Sequence, residues 1–473
     1  MTTTLYWHDY ETTSADPART RPSQFAGVRT DEDLNIIGDP LMIYCQPSRE
    51  LLPSPGACLV TGITPQTAAK EGLKEPEFIA RIHQELSQPG TCGVGYNSMR
   101  FDDEVTRYTL YRNFFDPYER EWKNGNSRWD IIDMFRLARA LRPEGINWPN
   151  YEDGSPCFKL EELTKANGLS HESAHDALSD VYATIGMAKL LKQKQPKLYD
   201  YVYRNRTKQQ VASMVDVYNL SPFLHVSTRL PRENGYLGLM MPLAVNPNNK
   251  NEIICVNLNG EVEPLLTMNA DQIREQLYKP NAELEEGEQR IPLKGVHLNR
   301  CPVVATPKLL DDKSAQKHQI DLPKCRENYR LLKNANLRSK LEQVYSSVAE
   351  RNDSNPETML YAGFLPDNDK SLLQEVRNST PAQLADGSIQ FSDPRYRELL
   401  FRYRARNFPE TLSAEEQHQW EELRFHLLND SDTGYLTLEK FYEEIDQCLA
   451  NPSCSERDRN ILEALQAWGD EIL

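Results

Sequence analysis

Leu5-Tyr6-Trp7-His8-Asp9-Tyr10-Glu11-Thr12 stands near the start of a 473-residue chain. Leu5 to His8 reads as a short, aromatic-rich strand, with two acids following at once. If the strand runs on, Asp9 and Glu11 project from one face, because successive strand side chains alternate sides. Two carboxylates on one face repel unless a cation lies between them. A lone D-x-E reads first as a solvated strand end, so the pattern needs company elsewhere.

Company comes twice. Cys92-Gly93-Val94-Gly95-Tyr96 reads as another strand and leads through Asn97-Ser98-Met99-Arg100-Phe101 to Asp102-Asp103-Glu104, which places Asp102 in the first turn of a helix. His175 and Asp180 stand in an H-x4-D spacing that opens a helical pattern, Asp180 to Leu191, with Val181, Ile185, Ala188 and Leu191 on one stripe. Taken singly, each has a plainer reading. Asp102 and Asp103 suit the positive end of a helix dipole, and His175 suits a solvated loop. Asp130 and Asp133 form a rival acidic pair, but no matching histidine accompanies them, and they read as structural helix acids.

Outward from these motifs, the strand pattern Leu41 to Cys45 and the helical pattern Glu77 to Leu86 complete an alternating α/β region that ends near residue 192. Composition shifts at Gln193-Lys194-Gln195-Pro196. One helical stretch, Leu198 to Val215, precedes short β-like runs at Phe223 to Val226, Ile253 to Leu258, Gly295 to Leu298 and Val303 to Ala305, which predict a small barrel or sandwich. Helical signals dominate from Lys324, including a capping-box spacing at Ser413-Ala414-Glu415-Glu416. Asn429 to Lys440 has the glycine of a calcium loop at its sixth position but Lys440 where a bidentate Glu is required, and reads as a turn.

Lys and Arg total 54 against 70 Asp and Glu, a net charge of −16. That excludes a protein that coats polyanions by overall charge and leaves only local basic tracts for the task. Two exist. Lys189, Lys192, Lys194, Lys197, Arg204, Arg206 and Lys208 form one, which also fits a solvated face. Arg395, Arg397, Arg402, Arg404 and Arg406 alternate with Tyr396, Phe401, Tyr403 and Phe408 in the other, a pattern that suits base stacking or helix core equally. No apolar run approaches a membrane span, the N-terminus reaches acids too early for a signal peptide, and the nine cysteines include no CxxC pair. A reduced, cytoplasmic setting is the expectation.

The chain order D-x-E, Asn with a short spacer and Phe-Asp, then H-x4-D resembles the DEDDh branch of the DnaQ-like 3′→5′ exonucleases. Further segments resemble the bacterial exodeoxyribonuclease I family within it. These are Trp7 to Thr12, Arg21-Pro22-Ser23-Gln24-Phe25-Ala26, Thr61 to Pro65, Arg100 to Arg107, Leu141 to Pro149, Leu163 to Gly168 and Tyr403 to Pro409. Two positions depart from that family's pattern: Thr13-Ser14 follow the D-x-E-T where glycine is usual, and Ser98 stands where a second Asn is common.

The resemblance implies an α/β fold class: an RNase-H-like exonuclease domain (1–195), an SH3-like β domain (196–349) and an all-helical C-terminal domain (350–473). It implies processive 3′→5′ degradation of single-stranded DNA to 5′-mononucleotides by two-metal-ion phosphodiester hydrolysis, in DNA repair and recombination. Asp9, Glu11, Asp102 and Asp180 would hold two Mg²⁺ ions, with Mn²⁺ an acceptable substitute, since carboxylate oxygens suit hard cations. His175 would take the proton of the attacking water. Glu11, Arg142 and Tyr403 are implied as substrate contacts. Arg142 and Tyr201 are implied as the dock for the acidic, Phe-ending tail of single-stranded DNA-binding protein, on a monomeric enzyme. The rival readings are a ribonuclease of the same fold and a catalytically silent single-strand-binding adaptor. An intact acidic quartet disfavours the adaptor, because carboxylates in a groove repel a polyanion.

Overall fold

The computed structural model describes residues 3–170, 175–280, 283, 290–346 and 354–473. The opening strand, β1 (Thr4–Thr12), does run past His8, so Asp9 and Glu11 share a strand. It pairs antiparallel with β2 (Pro22–Thr30) and parallel with β4 (Thr91–Gly95), while β3 (Leu41–Tyr44) pairs antiparallel with β2. The order β3-β2-β1-β4 thus puts β1 between two partners. Its parallel pairing requires a crossover, and the helix Glu75–Leu86 supplies part of it, burying Phe78, Ile79, Ile82 and Leu86. These side chains join Tyr6, Tyr10, Phe25 and Val105 in one apolar cluster.

The chain divides into two compact units that do not follow chain order. The first gathers Met1–Ser127, His171–Ile185 and Asn352–Leu473, and the second Arg128–Ser170 and Gly186–Arg351.

Within the first unit, Tyr108, Tyr111 and Phe114 share an apolar cluster with Leu360, Val376, Phe391, Tyr396, Leu399 and Tyr403. Leu52 and Cys58 share another with Phe441, Ile445, Leu465 and Trp468. Fully burying one such side chain is worth about 1.5–3 kcal/mol, so the C-terminal helices are integral to this unit. The capping box read at Ser413 forms as expected, with Glu416 as its reciprocal partner. The arginine-aromatic tract lies on the helix Pro394–Asn407 and takes the core alternative. Tyr403 is 6% exposed and meets Phe114 edge-on at 5.4 Å. Arg395 pairs with Asp393, Arg402 with Glu398, Arg404 with Glu416, and Arg406 with Glu50 and Glu357. Those charges answer carboxylates of the chain itself.

In the second unit, β5 (Ser127–Asp130) leads in from the unit boundary to a helix at Ile132–Leu141. Asp130 accepts from the Ile132 N–H at the start of that helix, and Asp133 pairs with Arg136. The stretch Leu198 to Val215 is two helices, Pro196–Arg204 and Lys208–Met214. Thr207 divides them by capping the second, a local hydrogen bond that periodicity does not register. The β segment forms a five-stranded antiparallel sheet from β6 (Phe223–Val226), β7 (Leu237–Asn246), β8 (Asn249–Asn257), β9 (Leu293–His297) and β10 (Val304–Ala305), in the order β10-β6-β7-β8-β9. Its core contains Phe223, Met240, Ile253, Cys255 and Val296. Among the described residues no helix is long and apolar enough to cross a membrane.

Candidate active site

Strand geometry sets the first two acids. Asp9 faces Ala26 and Glu11 faces Gln24 across the β1–β2 pair. The third acid begins the helix Asp102–Arg112. The N–H of Tyr10, the residue between the first two acids, donates to Asp102 Oδ1 at 3.1 Å. One backbone amide thus fastens the helix acid to the strand that carries the other two. Asp103 turns elsewhere, into a buried pair with Arg120 at 2.7 Å. The two neighbouring acids thus differ in placement: Asp102 faces β1 at the candidate site, and Asp103 faces Arg120.

Asp180 lies in the opening turn of the helix Ala177–Lys194, in the part that belongs to the first unit. Ligand atoms of Glu11, His175 and Asp180 all lie within 4.8 Å of one another. His175 is exposed and has a left-handed backbone, φ 67°, which turns the chain immediately before the helix.

Electrostatics show what this crowding costs. Burial raises the Asp9 carboxyl well above the usual carboxylate range, and Asp102, Asp180, Glu11 and Asp176 push it further. Glu11 is pushed up to about 8, first by burial and then by Asp180, Asp102 and Asp176. Desolvation and like charges both favour the neutral acid, so a bound cation is the natural relief. An all-oxygen donor set with one imidazole alongside suits a hard divalent ion.

Asp176 was missed by sequence reasoning, although it stands inside the H-x4-D spacing. Its signal was that of a helix cap, and it does accept from the Ser179 N–H. Gln24, in the Arg21 to Ala26 segment, was missed too. Of the remaining expected contacts, Tyr403 lies in the core just described, so its ring has no face free for a base. Arg142 is exposed, and the Tyr201 hydroxyl donates to the Val304 carbonyl at 3.3 Å. Both belong to the second unit.

Acids from a central strand, from the helix that follows the next parallel strand and from a third helix, with a histidine at their side, define an RNase-H-like exonuclease domain. The fold implies dependence on a divalent metal, and the residues fit one. Comparison with family models agrees over nearly all of the chain: residues 6–188 match the exonuclease model, 206–347 the exonuclease I SH3-like domain and 354–472 the exonuclease I C-terminal domain. The chain is 44% identical to exodeoxyribonuclease I of Haemophilus influenzae over 472 residues, covering 99% of this chain and 98% of the relative. Among solved structures, it matches the moderately thermophilic exonuclease I of Methylocaldum szegediense with a TM-score of 0.95 at 48% identity, covering 99% of both chains. It matches Escherichia coli exonuclease I in complex with a dA16 oligonucleotide with a TM-score of 0.95 at 42% identity, covering 100% of both. The Escherichia coli protein is also known in a zinc-bound form with single-stranded DNA. This chain belongs to the exonuclease I family.

Proposed function

We propose that this protein removes nucleotides from the 3′ end of single-stranded DNA, releasing 5′-mononucleotides, with Asp9, Glu11, Asp102 and Asp180 holding two Mg²⁺ ions that Mn²⁺ can replace. The observation that carries the reading is the convergence of these acids and His175 at the end of β1. When bound, the ions supply positive charge against the negative charge that grows on the attacking and leaving oxygens. The chain's own part is to fix the carboxylates through β1 and the Tyr10 amide, and to hold a ring nitrogen of His175 where it can accept the proton of the attacking water. His175 is open to solvent, so water can reach it.

The test is hydrolysis of 3′-labelled and 5′-labelled single-stranded DNA and RNA, with and without Mg²⁺. Metal-dependent shortening of the 5′-labelled DNA from its 3′ end is expected. Equal or faster cleavage of RNA would instead identify a ribonuclease.

His175→Ala should lose about 10²- to 10⁴-fold in rate, the range for a positioned proton acceptor, while metal titration changes little. A fall in metal affinity matching that of Asp102→Ala would make His175 a ligand instead.

The same reading includes a monomeric enzyme and a dock for the acidic tail of single-stranded DNA-binding protein at Arg142 and Tyr201. An exposed guanidinium suits a carboxylate partner. Arg142→Ala should weaken binding of the tail peptide in a fluorescence-anisotropy titration.

A further inference from the structure

The Gln24 side chain is almost fully buried, 1% exposed, on β2 directly across from Glu11. Its Oε1 accepts from the Ala177 N–H at 3.0 Å, and its Nε2 donates to Asp176 Oδ1 at 3.2 Å. The backbone N–H can only donate, so the amide orientation is dictated by chemistry: oxygen to Ala177, nitrogen to the carboxylate. The second carboxylate oxygen of Asp176 accepts from the Ser179 N–H at 3.2 Å. One amide therefore ties β2, the strand paired with the one bearing Glu11, to the first turn of the helix bearing Asp180.

His175 sits immediately before this tie, with φ at 67°. A left-handed backbone is unfavourable for an L-residue and persists only where its surroundings hold it. The hydrogen bonds on Asp176 and Ala177 fix the chain that follows His175.

We propose that Gln24 and Asp176 form a polarity-matched clamp that sets the placement of His175 and Asp180 against Glu11, making both positioning residues for the hydrolysis. The proposal rests on the exonuclease reading above. Asp176 serves it as a hydrogen-bond acceptor, not as a fifth metal ligand.

This distinction has a sharp test, because the clamp can be rebuilt with its polarity reversed. In Gln24→Glu, the Ala177 N–H keeps its acceptor, but two carboxylates meet where an amide met an acid. In Asp176→Asn, either Gln24 Nε2 or the Ser179 N–H loses its acceptor. In the double variant, the new amide on the helix side donates to the new carboxylate on β2 and so replaces the original bond. The oxygen of that amide takes the Ser179 N–H, and net charge equals that of wild type. Asn also caps a helix as well as Asp does.

The experiment measures kcat and KM on a single-stranded oligonucleotide with Mg²⁺ for wild type, both single variants and the double variant, with thermal melts alongside. Each single variant should lose about 10- to 100-fold in kcat, the usual cost of an outer partner of metal-site residues, with KM changed less. The double variant should recover most of that loss. Losses that multiply in the double variant would overturn the clamp, since independent sites add in free energy. A double variant as inactive as Asp176→Asn would also overturn it and make Asp176 a metal ligand. Should Gln24→Glu fail to fold alone, Asp176→Asn with and without it still reads the rescue. An inert wild type would overturn the exonuclease reading and the clamp with it, whereas an active wild type with unrescued variants overturns the clamp alone.

Discussion

Glu11→Gln should cost more than about 100-fold in hydrolysis, beyond the range for outer partners of a metal site, and yet make the metal-free protein more stable. The first half follows from removing a carboxylate that the proposed function assigns to the metal ions. The second follows from the sign of its titration. The Glu11 carboxyl is raised from 4.5 to about 8 by burial, then by Asp180, Asp102 and Asp176. Folded protein therefore holds a proton there that the unfolded chain has already released between these two values. Over that window the folded state loses stability as pH rises, and the full penalty is present above the folded value. A glutamine carries no such penalty. Melts in EDTA should show the advantage of Glu11→Gln growing from pH 5.5 to pH 8. Adding Mg²⁺ should reverse the order, because a ligand that binds only the folded state stabilises it by mass action. Asp9→Asn should behave alike, since its carboxyl is raised by burial and the same neighbours. A Glu11→Gln protein that melts below wild type in EDTA at both pH values would defeat the account of a site strained by its own charge.

How much of this was legible in advance depends on the range of the forces involved. Asp9 and Glu11 were readable because two residues two apart in a strand are a local pattern, and β1 runs through both. Four strands of the second unit's sheet were visible as short runs, whereas its central strand β7 and the capping by Thr207 that divides one helical stretch into two were not. Asp102 and Asp103 could not be told apart from pattern, since the difference is made by the Tyr10 amide and by Arg120. The Gln24 clamp was invisible because its partners are 152 and 153 positions away. The same holds for the arginines of 395–406. Their spacing with aromatics suits a nucleic-acid strip as well as a core. Which it is depends on Glu50 and Glu416, acids far along the chain or on another helix. A sequence records which charges exist, and only the fold records which ones meet.

Glu357→Gln should destabilise the protein by about 3–5 kcal/mol, the cost of leaving buried charges without their partner. Glu357 is 2% exposed, and its two oxygens receive Arg21 and Arg406 separately. Arg406 Nε also reaches Glu50 at 2.5 Å, Arg21 Nε lies 3.9 Å from Glu75, and Glu75 takes Arg112. Three glutamates and three arginines thus balance inside the first unit, and Glu357 is the member supplied from the start of the C-terminal segment. Glutamine preserves the shape, removes the charge and leaves one of the two arginines facing an amide NH2 in place of an acceptor. Arg21 also reaches the active strand: its carbonyl accepts from the Thr13 N–H at 2.9 Å, two residues beyond Glu11. Burial would raise the Glu357 carboxyl, but Arg21, Arg406, Arg402 and Arg112 outweigh it and hold the group well below the usual range. Its contribution is therefore present above the unfolded value of 4.5 and fades as pH falls through the folded value, opposite in sign to Glu11. Urea unfolding at pH 7 should show the full loss in Glu357→Gln, and the gap from wild type should narrow on acidification. A loss below about 1 kcal/mol, the range of exposed ion pairs, would mean that the arginines find water or other acceptors, and that the apolar clusters alone hold the C-terminal helices to the strands that carry the site.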